Sequence, residues 1–142
     1  FIEMAPDPRL LRGVSIEGVH LEYVLDIMNR RIAALYDRDH MIGHAYFTSL
    51  SSSDDISALQ QIFLKSIIPL LQEYFFDNVE KINAIFGNDK TYPILIQDVP
   101  AFGLFDSSID PNDLETSYRI NHAILTQPET YQAIYGNRYA NV

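Results

Sequence analysis

The stretch from Ile56 to Tyr74 constrains the fold more than any other part of the chain. Ile56, Leu59, Phe63, Ile67, Leu70 and Tyr74 recur at spacings of three and four, which places them on one helix face. Pro69 interrupts the run. Its ring removes one amide donor and collides with the carbonyl four residues back, which predicts a kink rather than a straight rod. Ahead of the helix, Ser51 to Ser53 are cap formers. Ser53 or a neighbour is expected to accept the first free amides, with Asp54 and Asp55 supplying negative charge in the first turn.

A stripe of that length needs other stripes to bury it, and the chain supplies two. From Val19 to Tyr36, Leu21, Val24, Met28, Ile32 and Leu35 paint one helical face. Arg30 and Arg31 lie in the C-terminal half of that helix, where positive charge suits the dipole, and they read as solvated charges. Asp77 followed by Glu80 resembles a capping box that opens a third helix. Val79, Ile82 and Phe86 form its stripe, and Gly87 is placed to end it in a left-handed cap. Three amphipathic helices with short connections bury their stripes against one another, so the expected fold is a mainly α bundle. The aromatic set Tyr74, Phe75, Phe76 and Phe86 reads first as core packing and second as an oligomer surface.

The flanks read differently. Phe1 to Met4 is a short strand candidate stopped by Pro6 and Pro8, and a chain that opens this way is expected to be cut from something longer. Residues 9–18 form a connector punctuated by Gly13 and Gly18, and 19–87 hold the helical subdomain. The remainder, 88–142, is expected to be a small α/β extension packed on the helices. Tyr92 to Gln97 and Tyr118 to Asn121 are two short strands that pair antiparallel, and Asp110-Pro111 opens a helical turn. Thr126-Gln127-Pro128-Glu129 carries a capping-box signature for a last helix that runs through Tyr131 and Ile134 to Gly136.

Composition narrows the function classes. Nineteen acidic residues against ten basic ones give a net charge of −9, which argues against direct DNA or anionic-membrane binding. The absence of cysteine removes disulfides and thiolate metal sites. No apolar run reaches the ~18 residues of a membrane helix, and a cytoplasmic protein is expected.

The candidate site is the turn between the first two helices, Arg38-Asp39-His40-Met41-Ile42-Gly43-His44-Ala45-Tyr46-Phe47. His40 and His44 are four apart, but the position after the first is Met41 rather than the Glu of a zinc protease, and Gly43 weakens a helix through the pair. Asp37 and Asp39 read as a solvated loop, and Ser51 to Ser53 lack the glycine-flanked nucleophile context. No G-x-x-x-x-G-K-[ST] phosphate loop occurs, so the chain has no complete catalytic apparatus by itself.

The run from Asp37 to Phe47, followed by Phe63 to Phe75, resembles the C-terminal part of the McrB family, the AAA+ NTPase subunits of methylcytosine-specific restriction systems. Phe1 to Met4 with Pro6 resembles that family's last core strand, and 118–121 and 131–136 its closing strand and helix. The resemblance implies an AAA+ C-terminal helical lid bundle carrying the small extension. It implies GTP or ATP with Mg²⁺ bound in the full-length protein between the α/β core and the lid. Ile42, Gly43 and His44 would then be nucleotide-binding, with Gly43 permitting close backbone approach, and Arg38 a further contact. The partners implied are the N-terminal AAA+ core of the same chain, a homo-oligomeric ring and a nuclease subunit. The fragment alone would carry no cofactor and no catalytic residue. A competing reading is a self-contained helical protein-interaction module with no nucleotide role. A phosphate loop about 150–200 residues upstream separates the two.

Overall fold

The computed structural model describes residues 8–98, 108–110 and 117–140. The strand candidate at Phe1 to Met4 and the helical turn expected from Pro111 lie outside these residues; Asp110 is exposed. The fold is mainly α: the described residues form five α-helices and two small antiparallel strand pairs. Among the described residues, no helix is long and apolar enough to cross a membrane.

The connector holds more structure than its sequence announces. After a 3-10 turn at Pro8–Leu11, strands β1 (Ser15–Ile16) and β2 (Val19–His20) pair as a two-residue hairpin. Its turn residues, Glu17 and Gly18, both take positive φ (48° and 84°), the backbone that matches the twist of a tight hairpin. Glu at the first of these positions is an unusual choice, which hid the turn from the sequence. Its carboxylate accepts the Ile56 amide at 2.6 Å and so ties the hairpin to the start of the second helix.

Helix α1 (Leu21–Leu35) buries Leu21, Val24, Leu25, Ile27, Met28, Asn29 and Ile32. Leu35, expected on that face, is 45 % exposed, because the buried face ends at Ile32 one turn earlier. Arg30 is a surface residue 3.3 Å from Asp26. Arg31 is not a solvated charge. Its guanidinium is half-buried and donates to the Ile85 carbonyl at 3.1 Å, fastening α1 to the end of the fourth helix.

The long helix expected from Ile56 forms in three pieces: α2 (Ile56–Ile62), a π turn at Phe63–Ile67, and α3 (Ile68–Tyr74). Asp55, not Ser53, is the N-cap and accepts the Ser57 amide at 3.1 Å; Asp54 accepts from Ser51 instead. The break expected from Pro69 takes the form of the π turn, in which the Ile68 amide reaches back five residues to the Phe63 carbonyl. The buried residues explain why. Leu59, Phe63, Ile67, Leu71 and Phe75 follow a strict spacing of four, which on an ordinary α-helix drifts about 40° per step. A wider turn slows the rotation and keeps the row on the core. Ile56, Leu70 and Tyr74 are therefore only half-buried.

At the next corner Asn78 caps α4 (Val79–Ile85), accepting the Lys81 amide at 3.1 Å; the expected cap, Asp77, lies one residue too early. Gly87 ends the helix with φ +94°, as its position implied. Strands β3 (Leu95–Gln97) and β4 (Tyr118–Ile120) pair antiparallel with Ile96 opposite Arg119. Helix α5 (Pro128–Tyr135) ends at Gly136, which has positive φ. The capping box at Thr126 does not form: its hydroxyl donates to the Ala123 carbonyl at 2.8 Å, and Gln127 is the N-cap.

Phe63 is the hub of a single core. Its ring meets Tyr131 of α5 edge-on at 4.9 Å, Phe86 at 5.9 Å and Phe47 of the candidate turn at 6.4 Å. Tyr131 is fully buried and its hydroxyl donates to the Leu125 carbonyl at 2.6 Å; burial pushes its ionisation well above the ordinary tyrosine range. The helices and the C-terminal extension thus share one apolar interior.

Candidate functional site

The turn between α1 and α2 is built from two 3-10 turns, Arg38–His40 and His44–Tyr46, with an extended Met41 to Gly43 between them. Asp37 opens the first: its Oδ1 accepts the Asp39 amide at 2.8 Å and His40 Nδ1 at 2.6 Å. The hydrogen bond from His40 is the main reason that the Asp37 carboxyl is held below the usual carboxylate range. The His40 ring in turn lies edge-on to Tyr36 at 4.5 Å and to Tyr74 at 5.1 Å. This aromatic cluster pins the start of the turn against the end of α3.

Ile42 is the fixed point. Its side chain is fully buried, and both of its backbone polar groups bond to the Asn29 side chain on α1. The Ile42 amide donates to Asn29 Oδ1 at 2.5 Å, and its carbonyl accepts from Asn29 Nδ2 at 2.9 Å. One side-chain amide therefore does for Ile42 what a neighbouring β-strand would do. Asn29 is only 5 % exposed, so this is a buried polar pair with both groups satisfied.

Gly43, next along, is half-buried with φ −73° and ψ 148°, a conformation open to any residue. A Cβ added there would meet nothing closer than the Ala45 amide nitrogen at 4.0 Å. Nothing in the described structure requires a glycine at this position. His44 begins the second 3-10 turn, is 7 % exposed, and its carbonyl accepts the Phe47 amide at 2.9 Å. Arg38 is exposed, and its side chain forms no hydrogen bond or ion pair with another described residue. Tyr46 presents a partly exposed ring.

The turn carries the half-buried Gly43 backbone, the exposed Arg38 in its first 3-10 turn and the partly exposed Tyr46 ring. Among the described residues no group of three or more His, Asp or Glu is placed to hold a metal ion. Ile42, Gly43 and His44 are consecutive, and of the three Ile42 is the one anchored by the Asn29 side chain. Arg38 sits in the preceding 3-10 turn, and Ile42 faces inward as an anchor.

Residues 20–83 match the family model described as McrB, alpha-helical lid domain. The match begins at the last residue of β2, takes in the whole turn and the π-containing helix, and ends inside α4. Residues 20–83 are a McrB-family lid. None of the curated proteins matches the chain.

Within the McrB-family lid, the residue that sequence reasoning missed is Asn29. Leu25, Met28 and Ile32 place it on the buried face of α1, so a lone amide among aliphatic residues was the available signal. The same device recurs at the last residue of the matched span. Asn83 of α4 accepts the Leu95 amide at 3.1 Å and donates to the Leu95 carbonyl at 3.0 Å, aligning β3. Of the aromatic set, Phe75 and Phe86 are core residues, Tyr74 is half-buried and Phe76 is exposed.

Proposed function

We propose that this chain is the C-terminal lid region of a McrB-like AAA+ GTPase or ATPase and that its Gly43 segment faces the nucleotide. The observation that supports this most is the glycine itself. It has ordinary dihedrals, open space where a side chain would go, and a doubly bonded neighbour that holds it still. A residue that the fold does not require to be glycine, next to a residue anchored by two buried hydrogen bonds, suits close approach by a ligand from outside. Arg38 supplies positive charge on the same loop, and the buried His44 follows directly. In this reading the phosphate loop, the magnesium-binding acids and the remaining catalytic groups come from an N-terminal AAA+ core. The lid contributes nucleotide sensing and contacts within a ring, and the intact protein drives a nuclease partner on modified DNA. When bound, the nucleotide supplies the free energy of phosphoryl transfer. The residues of this chain only bind and position it.

The test is nucleotide-dependent chemical-shift perturbation of the chain at millimolar GTP and ATP in turn, beside the variant Gly43→Val. Shifts centred on Gly43, His44 and Arg38 in the parent, and lost in the variant, are the expected result. The Cβ of the new side chain meets nothing closer than the Ala45 amide nitrogen at 4.0 Å, so the variant should remain folded. Shifts clustered elsewhere, or hydrolysis by the pure chain, would sink the proposal.

A further inference from the structure

The β1–β2 hairpin is too small to hold its own shape. It pairs two residues with two, and a lone two-stranded hairpin is marginal in water even when longer. Ile16 and Val19 are fully buried, while the turn between them, Glu17 and Gly18, is exposed and held from two sides. On one side lies the start of α2. Ser52 Oγ, in the loop before that helix, accepts the Ser15 amide at 3.2 Å and donates to the Gly13 carbonyl at 3.4 Å. Glu17 accepts the amide of Ile56, the first residue of α2, which has no partner within its own helix. On the other side lies α5. The Gly18 carbonyl accepts from Gln132 Nε2 at 3.0 Å and from the Tyr135 hydroxyl at 3.4 Å, and the same hydroxyl accepts the His20 amide at 3.2 Å.

The turn is shaped for both attachments. At Glu17 φ is 48°, in the first position of a tight turn where asparagine or glycine is favoured. Asparagine would suit that backbone, but its side chain is one methylene too short to reach Ile56 as Glu17 does. At Gly18 φ is 84°, and a Cβ would sit 3.0 Å from Gln132 Nε2, so a side chain there would press on the α5 contact. The carboxylate that holds α2 and the carbonyl that α5 holds belong to adjacent residues, so a rotation of the turn that breaks one bond displaces the other. We propose that the hairpin is a strap that makes the docking of α5 and the ordering of the first turn of α2 one event. Helix α5 lies beyond the family match, and the strap carries its position to the helix that the candidate turn leads into. With α5 in place, Ile56 is held. With α5 displaced, the Gly18 carbonyl loses both side-chain donors, the turn relaxes, and the Ile56 amide loses its partner.

The test is a double-mutant cycle in urea unfolding of the chain. One arm is Glu17→Asn, which suits the backbone and lets go of Ile56. The other is Gln132→Ala with Tyr135→Phe, which removes both side-chain donors to Gly18. Any local gain that asparagine brings to the turn is common to both backgrounds and cancels in the cycle. Once one attachment is gone the other has little left to hold. The combined change in the unfolding constant should therefore fall short of the product of the separate changes by about threefold. As a control, Thr130→Val loosens α5 by removing its hydroxyl bond to the Ile124 carbonyl, without touching the hairpin, and should combine with Glu17→Asn as a simple product. The Ile56 amide proton gives an independent reading. Gln132→Ala with Tyr135→Phe should move it upfield, toward its position in Glu17→Asn, and Thr130→Val should leave it in place. A shortfall under about twofold, an equal shortfall with Thr130→Val, or an Ile56 signal that the α5 variant does not move would overturn the proposal.

Discussion

Replacing Asn29 with Ala leaves the amide and carbonyl of Ile42 without partners at the one position where the candidate turn is anchored. Ile42 is fully buried and Asn29 nearly so, so neither group regains water unless the turn opens. A buried polar group left unmade costs about 1–3 kcal/mol. Two such groups, partly relieved by local opening, cost about 3 kcal/mol. Against a net stability of about 5–15 kcal/mol for a domain, that is a large fraction, and urea unfolding should show it as a lower midpoint with an unchanged slope. Asn29→Asp isolates the donor. The carboxylate can still accept the Ile42 amide, but it faces the Ile42 carbonyl with no proton to give. Burial and that carbonyl favour the protonated acid, so its folded-state pKa rises above the unfolded value. A group raised in this way contributes its stability fully below the unfolded pKa and loses it as pH rises through the folded pKa. The variant should therefore lie close to the parent near pH 4 and well below it at pH 7. A cost under about 1 kcal/mol for Asn29→Ala, or an Asn29→Asp deficit independent of pH, would refute the view of Asn29 as a two-point clamp.

Phe63→Ala removes the ring on which Phe47, Phe86 and Tyr131 converge, and should cost about 4 kcal/mol in denaturant unfolding, loosening the α5 contact along with the helices. For His40→Ala, the Asp37 carboxyl should titrate in its ordinary range in a carbon-detected pH series. In the parent its lowered pKa gives stability that is present above the unfolded value of about 4 and is lost as pH falls further. Tyr118→Phe removes the hydroxyl between Asp77 and Gln72 and should cost about 1 kcal/mol, with faster amide exchange at residues 117–121. Burial, ahead of the Asp77 bond, raises the Tyr118 ionisation. Its contribution is therefore whole below about pH 10 and is lost as pH rises through the folded value, a loss that the Phe variant should not show.

How much of this was legible depends on which physics was local. Helical spacing located all three stripes, Gly87 and Gly136 ended their helices, and the two short strands paired, because periodicity and positive φ are encoded within a few residues. Caps were misplaced by one or two residues at Asp55 and Asn78, since neighbouring Ser, Asp and Asn compete for the same amides. Leu70 and Tyr74 were assigned to the core by a 3.6-residue period that the chain does not keep after Phe63. Arg31 and Asn29 escaped notice because their partners, Ile85 and Ile42, lie 54 and 13 residues away. The candidate turn itself stood out by composition, but the clamp that makes it rigid is a tertiary fact.

The π turn also governs what a change of chain length would do. Deleting one residue between Phe63 and Ile67 would let the segment close as an ordinary α-helix and rotate everything after it by about 100°. Leu71 and Phe75 would leave the interior, and the α3–α4 corner would swing to another side of the lid. Helix content would barely alter, and neither would the loops. Within these five residues, chain length is converted into direction. A single-residue indel there re-aims one face of the protein, whereas the same indel in the 88–94 loop is taken up locally.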